Sequence, residues 1–120
     1  MKGVLIAGHG SRQKSTEQTL ETVVGLVREK LPETLIQTAY MEFGQPDVPA
    51  GLEKLVERGA TEIAVVPYFL FDGIHIREDI PEIIDAFQKA NPGLKISMGK
   101  PFGVDARLAE ILLDRVKEFL

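Results

Sequence analysis

The 120-residue chain carries 14 Lys and Arg against 18 Asp and Glu, a net charge of −4, with 44% hydrophobic and 27% charged residues. That balance suits an ordinary globular protein and excludes the basic stripe a nucleic-acid binder needs to offset phosphate. Cysteine is absent, which removes thiolate metal sites, disulfides and cysteine nucleophiles and fits a cytoplasmic protein.

Residues 1–120 are expected to form a single domain, long enough for a real core. No stretch approaches the roughly 20 apolar residues that span a bilayer, so no membrane association is expected. The opening "KGVLIAG", residues 2–8, is a short continuous apolar run. It is read as a strand buried on both faces rather than as a signal peptide, because it breaks at His9 without a cleavage pattern. Leu20, Val23, Val24, Val27 and Leu31 then recur at helical spacing, with Ser15 and Gln18 as a capping box in front and Pro32 as the stop. "TLIQTAY", residues 34–40, is β-rich and predicts a second strand.

Asp47 is placed to cap a second helix bearing Leu52, Leu55 and Val56, which closes near Gly59. "TEIAVVP", residues 61–67, predicts a third strand. Asp79 and Glu82 offer a second capping box for a helix bearing Ile80, Ile83, Ile84 and Phe87, ended by "NPG" at 91–93. "LKISM", residues 94–98, predicts the fourth strand, and a last helix from about Asp105 carries Leu108, Ile111, Leu112, Val116 and Phe119. The βαβ order repeats, and helical crossovers join parallel strands with right-handed connections. The expected architecture is α/β: a four-stranded parallel sheet, flavodoxin-like in strand order 2-1-3-4, with helices on both faces.

In such a sheet, ligands bind beyond the carboxyl ends of the strands. His9 follows the first strand in "VLIAGHGSR", and Glu42 follows the second in "YMEF". His75 is read into a long loop after the third strand, in "VVPYFLFDGIHIRED". The only two histidines and one carboxylate thus share a rim. This donor set suits a borderline divalent ion such as Co²⁺, Ni²⁺, Fe²⁺ or Zn²⁺. Gly8 and Gly10 let a large ligand approach the backbone beside His9, and Gly73 is expected to permit the turn that aims His75 into the cleft. Arg12 and Arg77 bring positive charge to the same rim, while Lys14 and Lys100 in the same loops are read as ordinary surface charge. "YFLF", residues 68–71, offers a flat apolar wall, with Phe69 and Leu70 as its expected contacts. Singly, each residue has an ordinary alternative: a turn histidine bonded to backbone, an idle loop histidine, a solvated glutamate, a strand-end core. Their convergence is what favours function.

"GHGSR" after the first strand, together with "VVPYFLFDGIHIREDIP", resembles the short-form class II chelatases of the CbiX family. The resemblance runs over essentially the whole chain, so residues 1–120 are expected to be one chelatase domain. It implies a sirohydrochlorin cobaltochelatase, with nickel- and iron-inserting relatives, serving tetrapyrrole (cobalamin-type) biosynthesis. It further implies a metal held by His9 and His75, with Glu42 as an acidic ligand in some relatives. These three would be the catalytic group. Gly10, Ser11, Arg12, Phe69, Leu70, Gly73 and Arg77 would contact the macrocycle, the two arginines meeting its peripheral carboxylates. No cofactor beyond the substrate metal is implied. Longer relatives hold two such halves in one polypeptide, so the short form is expected to pair as a homodimer.

Two rivals share the pattern in part. A phosphohistidine phosphotransferase also ends a strand in His-Gly, but sets an arginine before the histidine where this chain has Gly8. A non-catalytic metal-binding protein would use the same ligands. A response-regulator receiver would need paired acidic residues after the first strand, which "GHGSR" lacks.

Overall fold

The computed structural model describes residues 1–120. Strand β1 (Lys2–Gly8) is central and pairs in parallel with β2 (Leu35–Tyr40) on one side and β3 (Glu62–Pro67) on the other. Strand β4 (Lys95–Met98) extends the sheet beyond β3, giving the order β2-β1-β3-β4 expected from the sequence. Helices α1 (Lys14–Lys30), α2 (Val48–Glu57), α3 (Ile80–Ala90) and α4 (Ala106–Lys117) alternate with the strands.

The strands' period of two sorts their side chains into two cores. On one face Leu5 and Ala7 of β1, Ile63 and Val65 of β3, and Ala39 of β2 meet Val48, Leu52 and Leu55 of α2 and Ile80 of α3. Close approach of α2 depends on Gly51, where a Cβ would lie 2.7 Å from Leu5 Cδ1. The opposite face is covered more thinly: Leu20 and Val24 of α1 pack on Ile36 and Tyr40, while Val4 and Ile6 stay only partly buried. The reading of β1 as buried on both sides therefore holds fully for one side alone.

One cap appears as expected: the Asp47 carboxylate accepts from Ala50 N at 2.9 Å. At the expected start of the last helix, the Asp105 carboxylate accepts from Arg107 N at 2.9 Å. The two capping boxes do not form. Helix α1 begins one residue before Ser15, behind Gln13, which makes no side-chain cap. Asp79 is already helical, because a π-helical turn over His75–Asp79 runs straight into α3, with Ile80 N–H donating to the His75 carbonyl. Helix α4 has no buried residue and packs closely on no other element. It reaches away from the body, giving extents of 55 × 32 × 27 Å.

Candidate metal-binding cleft

The main chain laces the strand ends into one rim. Met41 N donates to the Gly8 carbonyl (2.9 Å), Glu42 N to the His9 carbonyl (3.1 Å) and Tyr68 N to the Ala7 carbonyl (2.8 Å). Gly10 turns the chain at φ +87°, where a side chain is strained, and a Cβ there would collide with the Glu42 carbonyl oxygen. This turn leaves the His9 imidazole exposed at the rim.

His75 reaches the same place from a different element. The sequence reading put it in a loop, whereas it opens the π-helical turn ahead of α3. The Gly73 carbonyl starts that turn by accepting from Ile76 N (3.1 Å) and Arg77 N (3.0 Å). Gly73 has open space where a Cβ would go and no positive φ, so its residue type is not what aims His75.

The two imidazoles meet. Their ring centres are 5.0 Å apart and their planes cross at 72°. His9 also stacks on Phe69, with centres 4.1 Å apart and planes within 5°. Phe69 is 5% exposed and so forms a fixed wall behind that ring. His75 is held from its other edge, where Nδ1 lies 2.7 Å from the Asp79 carboxylate, four residues on. A carboxylate only accepts, so this contact keeps the proton on Nδ1 and leaves the Nε2 lone pair free.

Two clefts flank the pair. One, of about 570 Å³, is lined by His9, His75, Phe69, Leu70, Phe71 and Ile74, among others. The other, of about 330 Å³, opens on the α1 side of His9 between Ser15, Thr16, Thr19, Tyr40 and Tyr68. Burial pushes the Tyr40 phenol above its ordinary value, assisted by the nearby Glu17 and Glu21 charges, so it lines this cleft as a neutral group.

The remaining expected residues lie around the rim with differing roles. Leu70 is 50% exposed and Phe71 80% exposed, an apolar surface offered to solvent. Ser11 Oγ accepts from Gln13 N at 3.2 Å, closing the turn after Gly10. Arg12 lies over the Phe43 ring, 4.8 Å from its centre. Arg77 is exposed and faces Asp72 at 3.7 Å. Glu42 is exposed, and no three His, Asp or Glu side chains stand close enough to share an ion. The expected three-donor set is therefore not assembled: the structure brings together His9 and His75, and Glu42 joins them only through its backbone.

Sequence reasoning missed Asp79 as a partner of His75. The signal was the i, i+4 spacing, hidden because the same residue also matched a capping box. It also missed Ile74 as cleft wall and the hydroxyl-rich cleft beside α1, whereas the "YFLF" stretch lines the larger cleft as expected.

The CbiX family model matches residues 3–119. The chain is 36% identical over 120 residues to the sirohydrochlorin cobaltochelatase of Sulfurisphaera tokodaii, covering 100% of this chain and 95% of that protein. It is 34% identical over 118 residues to the sirohydrochlorin ferrochelatase of Priestia megaterium, covering 98% of this chain but 44% of that protein. A crystal structure of the sirohydrochlorin chelatase of Bacillus subtilis subspecies spizizenii in complex with cobalt superposes with a TM-score of 0.91 at 32% identity. That match covers 98% of this chain, α4 included, and 50% of the other. The chain thus spans about half the length of the bacillar relatives and nearly all of the archaeal one. On the family match along nearly its whole length, the chain belongs to the CbiX family.

Proposed function

We propose that the protein is a chelatase that inserts a divalent metal, Co²⁺ before Ni²⁺ or Fe²⁺, into sirohydrochlorin, acting as one chelatase domain within a cytoplasmic homodimer. The observation that carries this reading is the 5.0 Å approach of the His9 and His75 ring centres. An ion lies about 2.0–2.1 Å from a ligating imidazole nitrogen, hence about 3 Å from the ring centre, and two rings at a roughly tetrahedral angle then have centres about 5 Å apart. The spacing of the ring centres is compatible with a shared ion.

The chemistry follows from the same parts. Insertion exchanges two pyrrole protons for one M²⁺, so the site must shed a metal and take up protons. Neutral imidazoles bind borderline ions firmly enough to strip water and weakly enough to give them up to four ring nitrogens. Once the ion has moved to the ring, an imidazole lone pair is free to accept a pyrrole proton, and the exposed Glu42 carboxylate at the rim is a second acceptor. Phe69, Leu70 and Gly73 line the 570 Å³ cleft as its apolar side. Gly10 keeps the backbone low beside His9, Ser11 closes that turn, and Arg12 and Arg77 meet the macrocycle's carboxylates.

Incubating the protein with sirohydrochlorin and each ion, and following the visible spectrum, tests the proposal. The expected result is acceleration over the protein-free reaction that is lost in His9→Ala and in His75→Ala. Metal binding without acceleration would make the protein a carrier instead.

A further inference from the structure

Phe43 is a bulky side chain on a backbone that suits glycine. Its φ is +60°, and it is the only residue other than glycine with a positive φ. Gly44 N donates to the Glu42 carbonyl at 2.8 Å, so Glu42, Phe43 and Gly44 form a tight three-residue turn. The ring gains little burial in return, being 57% exposed.

The surroundings impose this turn. Glu42 N donates to the His9 carbonyl (3.1 Å) and Tyr40 N to the Pro46 carbonyl (3.0 Å), which ties the loop down at both ends. Gly44 sits so close to Tyr40 that a Cβ there would lie 2.6 Å from the Tyr40 ring. Strain of this kind persists only where neighbours enforce it, and it gathers at ligand sites. The clamped turn leaves the Phe43 ring at the rim, where it meets Arg12: the guanidinium carbon lies 4.8 Å from the ring centre.

Arg12 differs from the other rim arginine in its partner. Arg77 faces the Asp72 carboxylate at 3.7 Å, which offsets part of its charge. Arg12 has no carboxylate within ion-pair distance. A carboxylate would hold a guanidinium by cancelling its charge. An aromatic face holds it and leaves both the charge and the N–H donors at its edge free for an anion.

We infer that Phe43 is a positioning residue: its ring presents Arg12, with its charge uncancelled, to a peripheral carboxylate of the macrocycle held at His9. The inference rests on the macrocycle binding proposed above and gives the carboxylate contact to Arg12 acting with Phe43. It accounts for the strained turn, since glycine would relieve the backbone but supply no ring.

Phe43→Gly separates the ring from the fold, because glycine is the residue this φ favours. Binding of metal-free sirohydrochlorin is followed by its visible spectrum, and Co²⁺ binding by calorimetry. The expected result is macrocycle binding weakened about two- to fivefold, the worth of an exposed cation–ring contact. The urea midpoint should be no lower than the parent's, and Co²⁺ affinity should be kept. In the insertion assay the loss should fall on KM rather than kcat. Phe43→Tyr, which keeps a ring face, should restore the parent affinity. In an Arg12→Ala background, Phe43→Gly should cost nothing further.

An equal loss with and without Arg12 would overturn the inference. So would unchanged macrocycle binding in Phe43→Gly, or weaker binding accompanied by a lowered urea midpoint. A parent that binds sirohydrochlorin without accelerating insertion would sink the chelatase reading and leave the Arg12–Phe43 assignment to these variants. A parent that does not bind it would sink both.

Discussion

Asp79 holds His75 by its Nδ1 at 2.7 Å, and this one contact fixes which nitrogen of His75 looks into the cleft. Both residues sit on the π-helical turn ahead of α3, where the i, i+4 offset stacks them on one face. The carboxylate also raises the basicity of the free nitrogen. Asp79→Ala is expected to weaken Co²⁺ binding by about 10–100-fold, the usual cost of losing an outer partner of a metal-binding histidine. Asp79→Asn, whose amide oxygen still accepts from Nδ1–H, should recover much of that loss. Calorimetric metal titration measures both, with circular dichroism as the check on folding.

Phe69 serves two ends that substitution can separate. It is 5% exposed, and its ring stacks flat on His9. Phe69→Ala should cost about 3–5 kcal/mol of stability, as for other buried aromatics. Phe69→Leu should restore most of the melting temperature but not the flat contact. Stacked aromatic pairs contribute about 0.5–1.5 kcal/mol beyond burial, so Co²⁺ affinity of the Leu variant should stay roughly three- to tenfold below the parent. Thermal melting and metal titration together show whether the two effects divide.

The strand order was legible in the sequence because four short apolar runs alternate with helical periodicity, and right-handed crossovers leave few arrangements. The His9–His75 pair was legible for a related reason: strands β1 and β3 are adjacent in that order, so their carboxyl ends had to be neighbours. What failed was local. The spacing Asp79-x-x-Glu82 fits a helix start, yet the chain had entered a helical turn at His75, and a π turn has no distinctive residue signature. Glu42 shared the rim by topology, but topology fixes where a backbone ends and not where its side chain turns. The sequence predicted α4 as a helix but held no signal that its apolar stripe lacks a seat within its own chain.

Two glycines with opposite surroundings give a paired prediction. Gly10 has φ +87°, and a Cβ there would strike the Glu42 carbonyl. Gly10→Ala should therefore lose at least about 1–3 kcal/mol from backbone strain alone, and should disturb the His9–Glu42 backbone contact that shapes the rim. Gly25 lies inside α1, with nothing within 4 Å of the place a methyl would take. Gly25→Ala should stabilise the protein by about 0.5–1 kcal/mol through lower unfolded-state freedom and better helix propensity. Urea unfolding of the two variants should move the midpoint in opposite directions.

The acid limit of stability traces in part to one carboxylate on the α1 side of the sheet. Glu21 Oε2 accepts from Arg28 Nη1 at 2.9 Å, and its other oxygen accepts from Thr38 Oγ1. The Arg28 hydrogen bond, against some desolvation and with help from Thr38, holds the Glu21 carboxyl below its ordinary value of 4.5. A carboxyl whose folded pKa is depressed binds its proton more readily when unfolded. Its stabilisation is thus complete above the unfolded pKa and is lost as pH falls through the lower, folded value. Side-chain exposures of 38% and 46% for Arg28 and Glu21 keep the contribution small. Glu21→Gln should therefore cost little when folding is compared well below both pKa values, and more at pH 7. Urea unfolding midpoints measured from pH 7 down to pH 2 should show a shallower acid slope in the variant between the two pKa values. Parallel slopes for the two proteins would mean that the Glu21–Arg28–Thr38 contact does not persist in solution.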